Sequence, residues 1–465
     1  MLLNSLQPMM AWAEDRATVR TDPSADPGAK IGGGAAARRP APSLRDWHQS
    51  DKPSQQDAAI SPTGCRSQLA NLETTEFQFT VNQDTIDAWV GEKLRQAGGR
   101  PIAILLEQKR GALIHALMFR ENVILYPINP KQFARYRESY TNAGCKDDRS
   151  DARLLARMLN ERYLQLEPWR PDDESTRMLA RLCQTRRQLV DERTRLALQL
   201  IAQLKAYFPL VLGLASGRSV SPLMLELVRR WPDPRQLRRA DRRILHKVLK
   251  EHGCRNEEKR QELIERIRSA KLLSQDRALI EPAAVVVQSL ARQIPVLQKA
   301  IDELERKIET EMKSHPDAAL FTKLPGAGKA LAPRLLTAFG SQRDRYAHAD
   351  EVATLSGIAP VTKQSGKSRF VHRRYACPKY LRQTFHEFAD QARKWCPWSR
   401  AYYRLQRSRG MKHHAAVRKL ASRWIRILFR VWKTRTAYDP AAYLETITRK
   451  NPQIVQFLQV ENSQV

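Results

Sequence analysis

The sequence predicts an α/β domain with a parallel sheet, then long α-helices, then a mostly helical C-terminal domain. Three observations carry this. Two apolar runs, PIAILLE (101–107) and NVILYPI (122–128), bracket a helical pattern at short spacing, which marks a strand–helix–strand unit and so a parallel sheet. From about 175 to 315 the chain is charged, poor in glycine and apolar at three- and four-residue spacing, as long amphipathic or coiled-coil helices are. The last long apolar pattern, HHAAVRKLASRWIRILFRVWK (413–433), reads as a basic amphipathic helix.

The elements follow in order. Residues 1–65 are rich in Gly, Ala, Pro and Ser, bury too little apolar surface to offset their ordering entropy, and are expected to be a disordered leader. An α/β domain is expected over 66–170. In it FQFTV (77–81) reads as a strand, TIDAWVGEKLRQ (85–96) as a helix and GALIHALMF (111–119) as another. The two apolar runs suit strands covered on both faces. Asp148 to Tyr163 is helical. A coiled-coil region is expected over 171–317, broken at Pro209 and at WPDP (231–234). A compact domain over 318–440 opens with LPGAGKALAPRLLTAFG (324–340), and 441–465 form a polar tail.

Lys and Arg number 80 against 49 Asp and Glu, a net charge of +31 over 465 residues. Such a balance points to a polyanionic partner, most commonly nucleic acid. A ribosomal or membrane-surface role has the same sign of charge. The six cysteines are scattered, with no CxxC pair and no zinc-finger spacing, as reduced thiols of a cytosolic protein are. No apolar run is long enough to span a bilayer, and the N-terminal segment lacks the pattern of a signal peptide.

Several residues suit chemistry. Glu107 ends an apolar strand, where active sites of parallel sheets gather; an exposed strand-end glutamate is the plainer alternative. Asp148 and Asp151 share a helical face, so with a third carboxylate they suit a divalent metal that activates a nucleophile in phosphoryl transfer. Acidic residues that complement a helix dipole account equally for Asp147 and Asp148. LPGAGK has the shape of a helix-hairpin-helix turn, in which Gly326 and Gly328 bring backbone N–H groups to a phosphate; a plain tight turn fits as well. Ser365, in VTKQSGKSRFVHRR, is flanked by Lys363, Lys367, Arg369, Arg373 and Arg374. That setting suits a loop on phosphates, with the hydroxyl as nucleophile or as an ordinary loop serine. His413 and His414 read as surface residues of a basic helix.

Taken together, ILLEQKRGALIHAL, LYPINPKQFARYRESY, KDDRSDARLLARML, LPGAGKALAPRLLTAFG and LSGIAPVTKQSGKSRFVHRRYACPKYLRQTFHEFA resemble the insertion sequence 110 family of transposases, also called bridge-RNA-guided recombinases. The resemblance runs from about Leu69 to Lys433. It implies an RNase H-like (RuvC-like) N-terminal domain with an Asp-Glu-Asp-Asp tetrad, a coiled-coil segment and a C-terminal domain with a catalytic serine. Glu107, Asp148 and Asp151 match the last three tetrad positions, and Ser365 the serine. By the same resemblance Ser365 attacks a DNA phosphate and becomes covalently linked. The carboxylates and Mg²⁺ assist, a structured non-coding RNA selects the DNA sites, and the protein acts as a homo-oligomer in the cytoplasm, associated with the nucleoid.

One feature departs from the family. Its first strand resembles Gly-Ile-Asp-Trp and carries the first tetrad Asp, but no such apolar strand precedes residue 66. The nearest counterpart is Asp46 in SLRDWHQSDKPSQQDAAISPTGC, where Pro53 suits no central strand. The alternative is therefore an inactive copy that binds nucleic acid without catalysis. A Holliday-junction-type nuclease, which needs the tetrad and no serine, is a third class.

Overall fold

The computed structural model describes residues 10–13, 82–107, 111–140, 147–214 and 220–459. The expected strand at 77–81 and the candidate Asp46 lie outside the described residues. The chain divides into two compact units, Met1–Pro171 and Asp172–Val465.

In the first unit, β2 (Ile102–Leu106) pairs parallel with β3 (Val123–Pro127), Ile102 opposite Val123. On its other side β2 takes an antiparallel strand from the leader, β1 (Met10–Ala13). The side-chain alternation of a strand divides β2 between two cores. Ile102, Ile104 and Leu106 pack with Ile86 and Val90 of α1 (Gln83–Gln96) and with Leu113, Ile114 and Leu117 of α2 (Ala112–Leu117). Leu105 packs on the opposite face with Phe133 and Tyr136 of α3 (Pro130–Glu138) and with Leu155, Met158 and Leu159 of α4 (Asp148–Arg162). An apolar run without polar alternation is thus a strand covered on both faces, as expected of a parallel pair. Asn82 caps α1 in a reciprocal capping box with Thr85, which satisfies the N-terminal donors that would otherwise lack partners.

In the second unit two long helices pair, α5 (Glu174–Tyr207) and α11 (Arg277–Ser314). They run antiparallel: Arg186 meets Glu305, and further along α5 Arg193 meets the earlier Gln298. Helix α11 continues through Pro282 and Pro295. Proline there removes one backbone hydrogen bond each time, and packing against α5 compensates. Each end of the pair is embedded in its own core. Leu196, Leu200 and Leu204 join α6 (Pro209–Leu214), α7 (Pro222–Arg230), α8 (Pro234–Arg239), α9 (Arg242–Glu251) and α10 (Glu257–Ser269). Pro209 and Pro234 each open a helix, as suits a residue with fixed φ and no N–H.

Leu179 and Cys183, at the start of α5, belong to the C-terminal core with Ile308 and Met312 of α11. This core is built from α12 (Ala318–Thr322), α13 (Gly328–Phe339), α14 (Ala349–Leu355), α15 (Lys379–Trp395), α16 (Pro397–Ser408) and α17 (His413–Thr434). Trp398, Trp424 and Trp432 are fully buried within it. The Trp432 indole donates to the Gly340 carbonyl at 2.7 Å, and Trp424 to Ser399 Oγ at 3.0 Å, so both rings bury their apolar area without losing the N–H partner. Helices α18 (Pro440–Lys450) and α19 (Val455–Gln459) close the chain. Between α14 and α15 a two-stranded hairpin leaves the core: β4 (Val361–Ser365) antiparallel to β5 (Ser368–His372).

Candidate nucleic-acid interface

The hairpin places Ser365 at its tip. Ser365 pairs directly with Ser368, so the turn holds only Gly366 and Lys367. Gly366 has φ of 55°, and a two-residue turn with positive φ in its first central position favours glycine there. Opposed residues share a face. Ser365 with Ser368, Lys363 with Phe370, and Val361 with His372 therefore line one face; Gln364 with Arg369 and Thr362 with Val371 line the other. Positions 362–371 are exposed throughout, and Phe370 and Val371 are 68% and 60% exposed. A lone two-stranded ribbon is marginal in water. This one presents a serine hydroxyl, three cations and an uncovered phenyl ring to solvent. Arg373 and Arg374 follow at its foot, where Arg373 lies over the Tyr375 ring at 5.2 Å.

The acidic candidates are placed differently. Asp147 caps α4 by accepting from Ser150 N at 3.0 Å, a role more specific than the dipole complement the sequence suggested for Asp147 and Asp148. Asp148 is exposed in the first turn. Asp151 is buried, and Arg137 Nη1 donates to its two oxygens at 3.0 and 2.8 Å. Glu107 is half-buried, just past the end of β2. Among the described residues no three His, Cys, Asp or Glu side chains are grouped to hold a metal. With Asp151 taken up by a guanidinium, the described carboxylates do not fit a divalent ion as they stand. Nothing in the sequence marked Arg137, whose pairing depends on the packing of α3 on α4.

The LPGAGK turn leads from α12 into α13. Gly326 has φ of 79°, and a Cβ there would lie 2.8 Å from the carbonyl carbon of Gln391 on α15. Its lack of a side chain serves close helix packing. Gly328 has φ of 54° and open space around it, so of the two glycines it is the one whose backbone a ligand can approach.

His413 is half-buried and hydrogen-bonds Tyr403 Oη through Nδ1 at 2.8 Å, while His414 is exposed. Their neighbour His386, on α15, was not marked by the sequence; its ring lies 5.4 Å from that of His414.

Comparison with known proteins finds transposases. Residues 67–209 match the DEDD transposase domain of the IS110 family, and residues 318–404 match the transposase domain of the IS116/IS110/IS902 family. The chain carries both transposase domains of the IS110 family. The mini-circle putative transposase for IS117 of Streptomyces coelicolor is 28% identical over 73% of this chain and 83% of its own length. The uncharacterized 42 kDa protein of insertion element IS900 of Mycobacterium paratuberculosis is 28% identical over 73% of this chain and 84% of its own. The insertion element IS116 44.8 kDa protein of Streptomyces clavuligerus is 25% identical over 80% of this chain and 92% of its own. The second IS110-family match contains the whole hairpin with Ser365; the first contains Glu107, Asp148 and Asp151 and begins after Asp46. Among the described residues no helix is long and apolar enough to cross a membrane.

Proposed function

We propose that this protein is the transposase of an insertion sequence, a site-specific DNA recombinase whose nucleophile is Ser365. The observation that carries the reading is the place of Ser365, exposed at the tip of a cationic hairpin inside an IS110-family transposase domain. The Ser365 hydroxyl loses its proton as its oxygen forms a bond to a DNA phosphorus. The bond from that phosphorus to one deoxyribose oxygen breaks, and the departing hydroxyl takes up a proton. Attack by a second DNA hydroxyl on the same phosphorus reverses the exchange, joins the new strand and restores the serine. No oxidant or cofactor enters this balance. Lys363, Lys367, Arg369, Arg373 and Arg374 hold the strand by its phosphates, and each such contact releases counterions.

The DEDD domain supports divalent-metal use in the family, with Mg²⁺ as the ion. In this chain Glu107, Asp148 and Asp151 are its candidate ligands, with Asp46 as the fourth, but only once Asp151 leaves Arg137. A structured guide RNA and a homo-oligomer that shares sites between subunits complete the reading, as does a cytoplasmic, nucleoid-associated location. The domain plan proposed is a leader to residue 65, a RuvC-like domain over 66–170, a coiled-coil region over 171–317, a serine domain over 318–440 and a tail. The engagement of Asp151 by Arg137 favours one second reading, a copy that binds nucleic acid without recombining it.

The test incubates the full chain with the element's flanking RNA, donor and target DNA, and Mg²⁺, beside Ser365→Ala. A covalent protein–DNA adduct and joined product, both lost in Ser365→Ala, are the expected result. Nucleic-acid binding with no adduct establishes the second reading instead.

A further inference from the structure

At the surface of the C-terminal core, steps of four residues along α15 meet α17. His413 lies 3.9 Å from Asp390, and the His386 and His414 rings are 5.4 Å apart. One further turn along each helix, this contact brings Arg382 of α15 to Arg418 of α17. The two ends of this contact differ in charge. Asp390 also accepts from Arg393 at 2.7 Å and faces Lys394 at 3.8 Å. The other end is cationic. Among the described residues Arg373, Arg382 and Arg418 make no ion pair; Arg382 donates to Cys377 Sγ at 3.4 Å. Arg374 Nε is buried without a hydrogen-bond partner. Arg418 is half-buried. Burial, then the Arg373 and Arg382 charges, push it below the ordinary guanidinium range, and only Tyr375 acts the other way.

Half-buried cations are normally paired, because desolvation without a counter-charge is costly. Arg382 and Arg418 are half-buried without one, with the exposed Arg373 acting on the same pair, and are held ready for an external anion. We propose that Arg373, Arg382 and Arg418 form a binding site for a DNA phosphate at the foot of the Ser365 hairpin. A planar guanidinium offers paired donors that match phosphate oxygens. The ligand is DNA because the site continues the hairpin. Arg373 follows Ser368 by five positions, about 17 Å of extended chain, so a strand met at the tip reaches the foot about five nucleotide steps away. The site rests on the nucleic-acid reading above and not on the serine chemistry.

The test measures binding of the full-length protein to labelled duplex DNA over a salt series, with a duplex RNA of the same sequence beside it. Parent, Arg382→Gln, Arg418→Gln, Arg418→Lys and Ser365→Ala are compared. Each Gln variant is expected to lower the slope of log affinity against log salt for DNA by about one, and Arg418→Lys to keep the parent slope. Without DNA, the Gln variants are expected to melt no lower than the parent, because a repulsion has been removed. An unchanged DNA slope, or a change confined to RNA, overturns the site. So does a fall in melting temperature with the slope intact, which marks the cluster as structural. Two positions are read so that one misfolded variant leaves the other decisive. Ser365→Ala reports on the covalent adduct only, and absence of that adduct in the parent counts against the recombinase reading alone, since the slopes of the arginine variants do not depend on it.

Discussion

Arg137 holds both oxygens of Asp151 through a single guanidinium nitrogen, and the Asp151 side chain is only 2% exposed. A carboxylate so buried depends on that partner, since removing one member of a buried pair costs about 3–5 kcal/mol. Arg137 itself is 25% exposed, so the lower end applies. Arg137→Gln is expected to destabilise by about 3 kcal/mol, and Asp148→Asn, at an exposed site, by about 0.5 kcal/mol or less. Chemical denaturation of both variants measures this. Millimolar Mg²⁺ should recover part of the loss in Arg137→Gln if Asp151 is a metal ligand; equal melting with Mg²⁺ and with chelator removes Asp151 from the metal site.

Phe370 shares the Ser365 face of the hairpin and is uncovered, so its replacement reports on nucleic acid and hardly on folding. Phe370→Ala should leave the melting temperature unchanged and weaken DNA binding by about 1–3 kcal/mol, the worth of one stacked base. Binding to DNA carrying an abasic position identifies the base concerned: at that position parent and variant should bind alike. Identical affinity for all intact DNA would show that the ring contacts none.

The two glycines of LPGAGK should separate in their effects. Gly326→Ala meets the α15 backbone at 2.8 Å as well as an unfavourable φ, a combination expected to cost about 3 kcal/mol or more. Gly328→Ala meets nothing and pays only the left-handed backbone, about 1 kcal/mol. If the Gly328 backbone also approaches a phosphate, its variant loses DNA affinity beyond that stability effect. Denaturation midpoints and DNA titrations of the pair decide both points; a Gly326→Ala protein as stable as the parent would refute the packing role.

His315 is buried, accepts the Asp317 backbone N–H on Nδ1 at 3.1 Å and lies 2.9 Å from Thr176 Oγ1 through Nε2. An accepting Nδ1 carries no proton, so the folded protein holds the neutral ring with its hydrogen on Nε2. Burial lowers its pKa below the usual value, and nearby Asp173 and Asp317 only partly oppose this. The unfolded chain therefore takes up a proton that the folded chain refuses. The resulting stability is present above about pH 6.5 and is lost as pH falls through the folded pKa. His386, also lowered mainly by burial, acts with the same sign. Melting temperature should fall from pH 7.5 to 5.5 more steeply in the parent than in His315→Gln, and parallel profiles would exclude His315.

Periodicity made most of the elements legible. Strand β2, strand β3 and helix α1 follow their apolar patterns to within a residue or two, because burying a patterned face is what forms them. The helical region breaks at Pro209 and at WPDP as the sequence predicts, Pro209 and Pro234 each opening the next helix, while Pro282 and Pro295 are absorbed into α11 because its packing outweighs two lost hydrogen bonds. The strand Met10–Ala13 was not legible: four residues in a Gly- and Pro-rich leader carry no pattern, and they are ordered by the free edge of β2.

By itself the sequence determined the likeness to IS110-family transposase domains, the strand–helix–strand core, the long helices and the basic loop that carries Ser365, since each is written in local order and spacing. Only the tertiary structure decided which charges meet. It closed Arg137 on Asp151, set Gly326 against the α15 backbone, and left the half-buried Arg382 and Arg418 with no ion pair among the described residues. Burial and pairing are properties of positions distant along the chain, and a local pattern fixes the face a residue occupies but not the partner that faces it.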